Sequence, residues 1–317
     1  MGHVLQGSAG SELDLQTSAR PCPACSTPAD SSRVRHAERV DSAQLDGFAF
    51  AARKAPELMH WRLLDCAACG LVFASPAPSA EAVAAAYRTA AYDSQEESRH
   101  AADTYGKLLS GVLPTLPGDE SALDVGAGDG AFLDVLRELG FADVAGVEPS
   151  RGALEAARPE IRALIRADVF RAADFEPGRF SLVSALHIVE HVADPLALLR
   201  GAHTLLQEGG AVFVVAHDWR APLNRLLGDR SPIYDIEHLQ LFCRRTLRDS
   251  LQRAGFSDIQ VRRYRNRYPL RYWLRLAPLG AAKPRLLAAL ERVRAGSLPL
   301  TLPVGNILAI ARKGGAR

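Results

Sequence analysis

From Ser121 onward, short apolar runs alternate with amphipathic stretches of helical length, and this alternation is typical of a parallel α/β sheet. The apolar runs predict five strands, at residues 122–125, 144–147, 163–166, 180–186 and 211–216. The intervening amphipathic stretches predict helices at 131–139, from Arg151, and at 195–207. A further helix at 244–254, closed by Gly255, precedes two last strands at 259–264 and 306–312, with a cap insertion between them at about 265–304.

The residues before this alternation divide into three predicted parts. Residues 1–20 have neither the apolar core of a secretory signal nor an Arg-rich amphipathic pattern, so we expect a disordered leader. Residues 21–78 form a cysteine-containing module, and 79–117 form linking helices: one over 80–87 with Ser79 as its N-cap, and one from about 99 to 112. The remaining residues, 118–317, form the main domain.

Four of the five cysteines form two Cys-x-x-Cys pairs, Cys22 with Cys25 and Cys66 with Cys69. Two such turns supply the four thiolates of a closed tetrahedral zinc site that leaves no position open for catalysis. We therefore predict a structural Zn²⁺, with redox-active dithiols as the alternative. A strand over 59–64 should lead into the second pair, and the lone Cys243 is expected to be an ordinary buried thiol.

The composition, 48% hydrophobic and 23% charged, is that of an ordinary globular protein. A net charge of +2 supplies no global electrostatic argument for binding to nucleic acid or membrane. No stretch approaches the roughly 18 apolar residues of a membrane-spanning helix, so we expect a cytoplasmic protein.

A glycine loop, Leu123 to Gly130, lies where the first strand gives way to a helix. Glycines there allow positive φ and a close approach of the backbone to a ligand, as in nucleotide-cofactor sites. Gly126 and Gly128 also satisfy a dinucleotide-binding pattern, in which Glu148 would equally accept from ribose hydroxyls. Three carboxylates, Asp124, Asp129 and Asp168, instead favour the cationic cofactor S-adenosylmethionine, because acids repel a pyrophosphate.

These segments strongly resemble the successive motifs of class I S-adenosylmethionine-dependent methyltransferases. The motifs are Leu-Asp-Val-Gly-Ala-Gly-Asp-Gly, Gly-Val-Glu-Pro-Ser at 146–150, Ala-Asp at 167–168, and His-Ile-Val-Glu-His-Val-Ala-Asp-Pro at 187–195. The most similar subgroup comprises bacterial enzymes with an N-terminal cysteine ribbon, found in sugar, lipopolysaccharide and antibiotic pathways. The resemblance covers roughly residues 20–265, and it implies a Rossmann-like seven-stranded sheet whose last strand is antiparallel.

The resemblance also implies roles for individual residues. The backbone of Gly126, Ala127 and Gly128 would hold the methionine part of the cofactor, near Asp124. Glu148, followed by Pro149, would hold the ribose. Asp168 and Val169 would meet the adenine, and His187 would lie beside the cofactor.

Methyl transfer requires alignment of the nucleophile and, for a hydroxyl or carbon acid, removal of a proton. Histidine suits that role because its unperturbed pKa is near neutrality. His238 is the leading candidate base, followed by His191 and by His217 with its neighbour Asp218. A purely structural role for each histidine, and catalysis by proximity alone, remain open at this point.

The segment from Arg262 to Arg275 interleaves six arginines with Tyr264, Tyr268, Tyr272 and Trp273. Such a run is compatible with RNA binding, with a nucleotide-sugar diphosphate, or with a solvated amphipathic surface. Apolar turns at 286–290 and 298–302 would pack in the core, form a homodimer face or touch lipid.

We therefore predict methyl transfer to a small-molecule acceptor: a sugar, a nucleotide- or lipid-linked saccharide, or a natural-product hydroxyl or carbon. An RNA methyltransferase is a less favoured alternative because the net charge is modest. A non-enzymatic zinc-ribbon interaction protein is less favoured too, since the glycine loop and Glu148 are intact, and a nicotinamide-dependent dehydrogenase ranks lowest.

Overall fold

A computed structural model describes residues 15–41, 49–51, 57–117, 121–277, 279–293 and 295–314. The described residues of the N-terminal part contain five short strands: β1 (Thr17–Ser18), β2 (Arg33–His36), β3 (Leu63–Asp65), β4 (Val72–Ala74) and β5 (Ala77–Pro78). β2, β3 and β4 form an antiparallel sheet, while β1 pairs with β5. This part carries both cysteine pairs, so its sheet is called the ribbon sheet below.

Residues 1–14 of the expected leader lie outside the described residues. The part that the structure describes differs from the prediction: Leu15 is buried and Thr17–Ser18 pair with Ala77–Pro78. Arg20 is also fixed, since its guanidinium donates to the carbonyl oxygens of Ala74 and Leu239. These backbone and guanidinium contacts supply order that composition alone does not reveal.

Two helices follow, α1 (Ala80–Thr89) and α2 (Gln95–Ser110). The predicted N-cap is confirmed, because the Ser79 hydroxyl accepts a hydrogen bond from the backbone N–H of Ala82. α2 begins four residues earlier than predicted, and its Ser98 donates to Asp129 in the glycine loop.

The main domain runs through β6 (Ser121–Val125), α3 (Ala131–Glu138), β7 (Asp143–Val147), α4 (Arg151–Ala156), α5 (Pro159–Arg162), β8 (Ile165–Arg166), β9 (Phe180–Leu186), α6 (Pro195–Leu205) and β10 (Leu206–His217). An insert then contains α7 (Pro222–Leu227) and β11 (Gln240–Leu241). The remaining elements are α8 (Arg244–Arg253), β12 (Phe256–Pro269), α9 (Leu270–Leu276), α10 (Lys283–Arg292) and β13 (Pro299–Lys313).

Seven strands form one sheet in the order β12-β13-β10-β9-β6-β7-β8. β13 runs antiparallel to both its neighbours, and the pairs from β10 to β8 are parallel. The predicted α/β fold with a seven-stranded sheet and an antiparallel last strand is confirmed. Central strands are buried on both faces, as Phe180 and Phe213 illustrate, because helices cover each side.

The cap differs from a simple insertion. β12 and β13 continue past the sheet as a two-stranded arm, in which Tyr268 pairs with Leu300 and Arg267 with Thr301. α9 and α10 connect the ends of that arm, and α10 packs on α9.

β11 belongs to the ribbon sheet rather than to the main sheet. Gln240 pairs with Phe73 and Leu241 with Val72, so the ribbon order is β11-β4-β3-β2. The two regions that the sequence separates at residues 79–117 are therefore joined by one continuous sheet.

Candidate active site

A cavity of about 890 Å³ lies beside the carboxyl ends of the parallel strands. In open α/β sheets, ligands bind at this edge, where the strand order reverses. The loops after β6, β7, β9 and β10 contribute one wall, and α1, α7 and the α9 cap contribute the others.

The glycine loop presents backbone to this cavity. Gly126 and Gly128 have φ values of +78° and +57°, which residues with a Cβ rarely adopt. A Cβ at Gly126 would lie 2.1 Å from Ile188 Cδ1, whereas one at Gly128 would meet no atom within 4 Å. The loop is thus packed behind Gly126 and open in front of Gly128, so a ligand has room to approach the backbone there.

Glu148 lies at the end of β7 and lines the same cavity. Its carboxylate accepts hydrogen bonds from the backbone N–H groups of Gly128, at 2.9 Å, and Ser150, at 2.8 Å. Burial raises the pKa of this carboxyl above its ordinary value, while the two N–H donors oppose that shift. Each oxygen retains further acceptor capacity for ligand hydroxyls.

Of the other predicted cofactor residues, Pro149, Val169 and His187 line the cavity, but Asp124, Ala127 and Asp168 do not. The fully buried Asp124 contacts the hydroxyl of Ser184 instead, at 2.5 Å. Ala127 packs into the core below the loop. Asp168 accepts from the backbone N–H of Val169, which lowers its pKa.

Four histidines form one cluster in the lining of this cavity, called the histidine wall below. The ring centroids of His187 and His217 are 4.4 Å apart, those of His217 and His238 are 5.2 Å apart, and those of His238 and His191 are 4.7 Å apart. All three predicted catalytic histidines therefore line one cavity with the glycine loop. Asp218, the neighbour of His217, does not, because it is buried against Arg263.

Hydrogen bonds settle the protonation of two of these rings. His238 Nδ1 lies 2.9 Å from the carbonyl oxygen of Ile233, which can only accept, so Nδ1 carries the hydrogen. His217 Nδ1 lies 2.7 Å from Asn306 Oδ1, and the Asn306 amide donates to Asn266. In both rings the lone pair is left on Nε2.

Burial keeps His191, His217 and His238 neutral. Desolvation lowers the pKa of His191 and of His217 to about 4, and it lowers that of His238 well below its ordinary value. Mutual repulsion among the rings adds to the effect.

Tyr87 and Glu237 complete the wall, and neither was predicted as a functional residue. The Tyr87 hydroxyl lies 2.7 Å from His191 Nδ1 and donates to Glu237 Oε2 at 3.3 Å. Burial, and next the charge of Glu237, raises the pKa of Tyr87 well above its ordinary value. One signal was available: α1 is rich in alanine, and Tyr87 is the only aromatic residue on it.

The ribbon fixes the loop that carries Glu237 and His238. Trp61 Nε1 donates to the carbonyl oxygen of Ile236, and the backbone N–H of Ala74 donates to that of Leu239. From the main domain, the Gln240 side chain donates to the carbonyl oxygens of Val189 and Val192. The loop is therefore held from both sides.

The four paired cysteines converge as predicted. Their sulfurs lie within 4.8 Å of one another, with Cys22 and Cys69 at 3.6 Å and Cys25 and Cys66 at 3.4 Å. A tetrahedral zinc with Zn–S bonds of about 2.3 Å places sulfurs about 3.8 Å apart, whereas a disulfide requires about 2.05 Å. The arrangement therefore fits a metal centre. Cys243 is buried beside Thr246, at the start of α8.

Comparison with known families assigns this fold. The model of a methyltransferase domain matches residues 95–261, over half of the 317-residue chain. The chain belongs to the methyltransferase domain family. The predicted membership of the class I S-adenosylmethionine-dependent methyltransferases is thereby confirmed.

Individual relatives match a smaller part of this methyltransferase than the family model does. The ubiquinone biosynthesis O-methyltransferase of Pseudomonas paraeruginosa is 32% identical over 101 residues, which are 30% of this chain and 43% of that protein. Its counterpart in Albidiferax ferrireducens is 34% identical over 102 residues, covering 30% and 40%. The chain thus spans less than half the length of these curated relatives.

Solved structures are also similar. A SAM-dependent methyltransferase from Archaeoglobus fulgidus has a TM-score of 0.47 and 18% identity, covering 69% of this chain and 97% of that one. Phosphoethanolamine N-methyltransferase 2 from Haemonchus contortus has a TM-score of 0.43 and 16% identity, covering 66% and 52%.

Proposed function

We propose that this protein transfers the methyl group of S-adenosylmethionine to a small-molecule acceptor that binds against the histidine wall. The observation that carries the proposal is the shared cavity, which is lined by the glycine loop and Glu148 and also by His191, His217 and His238. One region would hold the cofactor and the facing region the acceptor.

The residues present fit the cofactor. The open backbone at Gly128 suits the methionine part, and the buried Glu148 carboxylate suits ribose hydroxyls. Pro149 and Val169 supply apolar surface for the adenine. When bound, the cofactor supplies an electrophilic methyl group.

His238 is the residue that we assign as general base. Its Nδ1–H is held by Ile233, so its Nε2 lone pair is available to accept a proton from an acceptor hydroxyl. Its lowered pKa keeps the ring neutral at pH 7. Glu237, bonded to Tyr87, lies beside His191 at 3.7 Å, and this set positions the acceptor.

The lining favours an acceptor with an apolar body. Phe50, Val83, Leu223, Ile233, Trp273 and Leu302 all line the cavity. Among the described residues that line the cavity, Arg171 is the sole arginine or lysine. A diphosphate would require several such cations, so a lipid-linked saccharide or a natural-product hydroxyl or carbon suits the cavity better than a nucleotide sugar.

We also propose that Cys22, Cys25, Cys66 and Cys69 bind one structural zinc ion. The geometry of the four sulfurs supports this assignment. Neither cysteine pair lines the cavity, so the ion would act on folding rather than on chemistry.

The first experiment is calorimetric titration of the full chain with S-adenosylhomocysteine. Wild-type protein should bind it in the micromolar range, and Glu148→Ala should lose at least tenfold in affinity because the ribose contact is removed. Glu155→Ala is the matched control. It removes an exposed carboxylate on α4, the helix that follows Glu148, and it should bind normally. Absence of wild-type binding would refute the proposal.

A further inference from the structure

The arm and cap over residues 262–300 have a charge unlike that of the rest of the molecule. This segment contains ten basic residues and one acidic residue, a net charge of +9. The remainder has 28 basic and 35 acidic residues, a net charge of −7. The modest net charge of the whole chain therefore conceals a strongly basic region.

The arginines and aromatic residues of β12 separate onto two faces. Arg263, Arg265 and Arg267 are exposed, and they alternate along the strand with Tyr264 and Tyr268, which are only 6% and 5% exposed. Tyr272 and Trp273 on α9 are buried as well and face the cavity. Aromatic rings that could stack on bases are therefore absent from the outer surface of the described part of this segment, which argues against RNA.

Aliphatic side chains occupy the outer surface instead. Five of them are between 37% and 71% exposed: Leu279, Leu286, Val293, Leu298 and Leu300. α10 is the clearest case, because none of its residues is buried although it contains three leucines. Short helices gain most of their stability from packing of an apolar face, and α10 packs on α9 while leaving Leu286 and Val293 exposed.

We propose that this basic, aliphatic surface docks on an anionic lipid bilayer. Exposed arginines around exposed leucines are the combination that holds interfacial helices at negatively charged membranes. A second copy of the chain fits less well, since a symmetric contact through this face would bring two regions of +9 together. Within the described residues, no helix is long and apolar enough to span a bilayer, so docking would be peripheral.

The docking surface and the cavity share a wall. α9 lines the cavity through Tyr272, Trp273 and Leu276, and α10 covers its outer side, where Lys283 donates to the Arg275 carbonyl oxygen. A bilayer against the cap would thus lie one helix layer from the acceptor region. This placement suits an acceptor drawn from the lipid phase, although docking does not depend on the proposed methyl transfer.

Flotation of the full chain with vesicles tests the proposal. Vesicles of phosphatidylcholine with roughly 40 mol% phosphatidylglycerol should carry the protein, and pure phosphatidylcholine should not. Salt at about 1 M should weaken the association because surface charges are then screened. Leu286→Glu with Val293→Glu, and separately Arg265→Glu with Arg267→Glu, should each reduce partitioning at least tenfold.

Val34→Glu is the matched control, because Val34 is a 52% exposed aliphatic residue on β2 of the ribbon sheet. It should float like the wild type, and every variant should keep wild-type affinity for S-adenosylhomocysteine as proof of folding. If a variant does not fold, Leu298→Glu replaces it. Failure of the wild type to bind S-adenosylhomocysteine would refute methyl transfer and leave the flotation result interpretable.

Three outcomes would overturn the proposal. One is flotation that is equal for anionic and neutral vesicles or absent from both. A second is retention on single-stranded RNA without flotation. A third is dimerisation, measured by light scattering, that Leu286→Glu with Val293→Glu abolishes while vesicles bind neither protein.

Discussion

In two side chains of the histidine wall, His217 and His238, the lone pair lies on Nε2. In His238, the backbone of Ile233 engages Nδ1 and leaves Nε2 to the cavity. We predict that His238→Asn lowers turnover about 100-fold, the lower range for loss of a general base. The asparagine amide can still donate to Ile233, so affinity for S-adenosylhomocysteine should be unchanged.

The measurement is the rate of S-adenosylhomocysteine release with an accepted substrate. His203→Asn is its control, because His203 packs against Phe256 outside the cavity. Equal turnover in wild type and His238→Asn would assign methyl transfer to alignment alone.

Burial of neutral histidines also predicts how stability depends on pH. The pKa values of His191 and His217 are about 4 in the folded protein, against 6.5 in the unfolded chain. Between these values the unfolded state binds more protons, so the free energy of unfolding should fall as the pH drops from 6.5 towards 4. The loss is on the order of 3 kcal/mol per histidine.

Urea unfolding at several pH values measures this effect. His217→Asn should flatten the dependence, because asparagine does not titrate. Asp124 acts in the opposite sense: burial raises its pKa to about 7, so its contribution to stability is lost as the pH rises towards 7. Asp124→Asn should therefore steepen the net fall on acidification, and a protein equally stable at pH 7 and pH 5 would contradict the argument.

Among the elements, β11 links the proposed metal to catalysis. It pairs with β4, which follows the second cysteine pair, and it begins two residues after His238. We predict that Cys66→Ser removes zinc, measured by elemental analysis, and increases hydrogen exchange over residues 237–242. Turnover should fall along with the metal.

Cys243→Ser is the control for that variant. Cys243 is buried but is not one of the converging sulfurs, and serine is a good helix N-cap, so zinc content and exchange should stay at wild-type values. Wild-type protein without zinc in reducing buffer would refute the metal assignment.

Helices and strands with a strong local sequence pattern were predicted more accurately than those without one. Phe180–Leu186 was predicted to the residue because an uninterrupted apolar run has one stable environment, the middle of a covered sheet. β12 extends five residues past its predicted end because Asn266 to Pro269 pair with the arm of β13. Long-range pairing of that kind leaves no local signal.

The same distinction holds for the site. Gly126, Gly128 and Glu148 were predicted because close backbone approach and a strand-end carboxylate have recognisable spacing. Tyr87 and Glu237 were missed because 150 residues separate them and only the fold brings them to hydrogen-bonding distance. Asp124 shares the motif of the loop, yet its side chain turns into the core towards Ser184.

For the whole molecule, the shared ribbon sheet predicts cooperative unfolding. The ribbon and main domains should melt in one transition, because separating them breaks the β4–β11 pairing and the Arg20 contacts. S-adenosylhomocysteine at about 100 times its Kd should stabilise the folded chain by roughly 2.7 kcal/mol and raise that single melting temperature by a few degrees.

Scanning calorimetry and the intrinsic fluorescence of the three tryptophans, which include Trp61 in the ribbon, should report the same midpoint. Glu148→Ala should melt at a lower temperature, because the backbone N–H groups of Gly128 and Ser150 lose their acceptor, and it should show a smaller ligand shift than the wild type. Two separate transitions, with only one raised by the ligand, would show that the ribbon folds independently.

The same strand pairing governs how this chain could be recombined with its relatives. In a chimera of this chain with a relative, a junction placed at the linking helices would take β4 from one parent and β11 from the other. The chimera would inherit a mismatched edge at Phe73 and Gln240, beside the loop that holds His238. Exchange of acceptor specificity should therefore succeed only when the ribbon and residues 236–242 are transferred together.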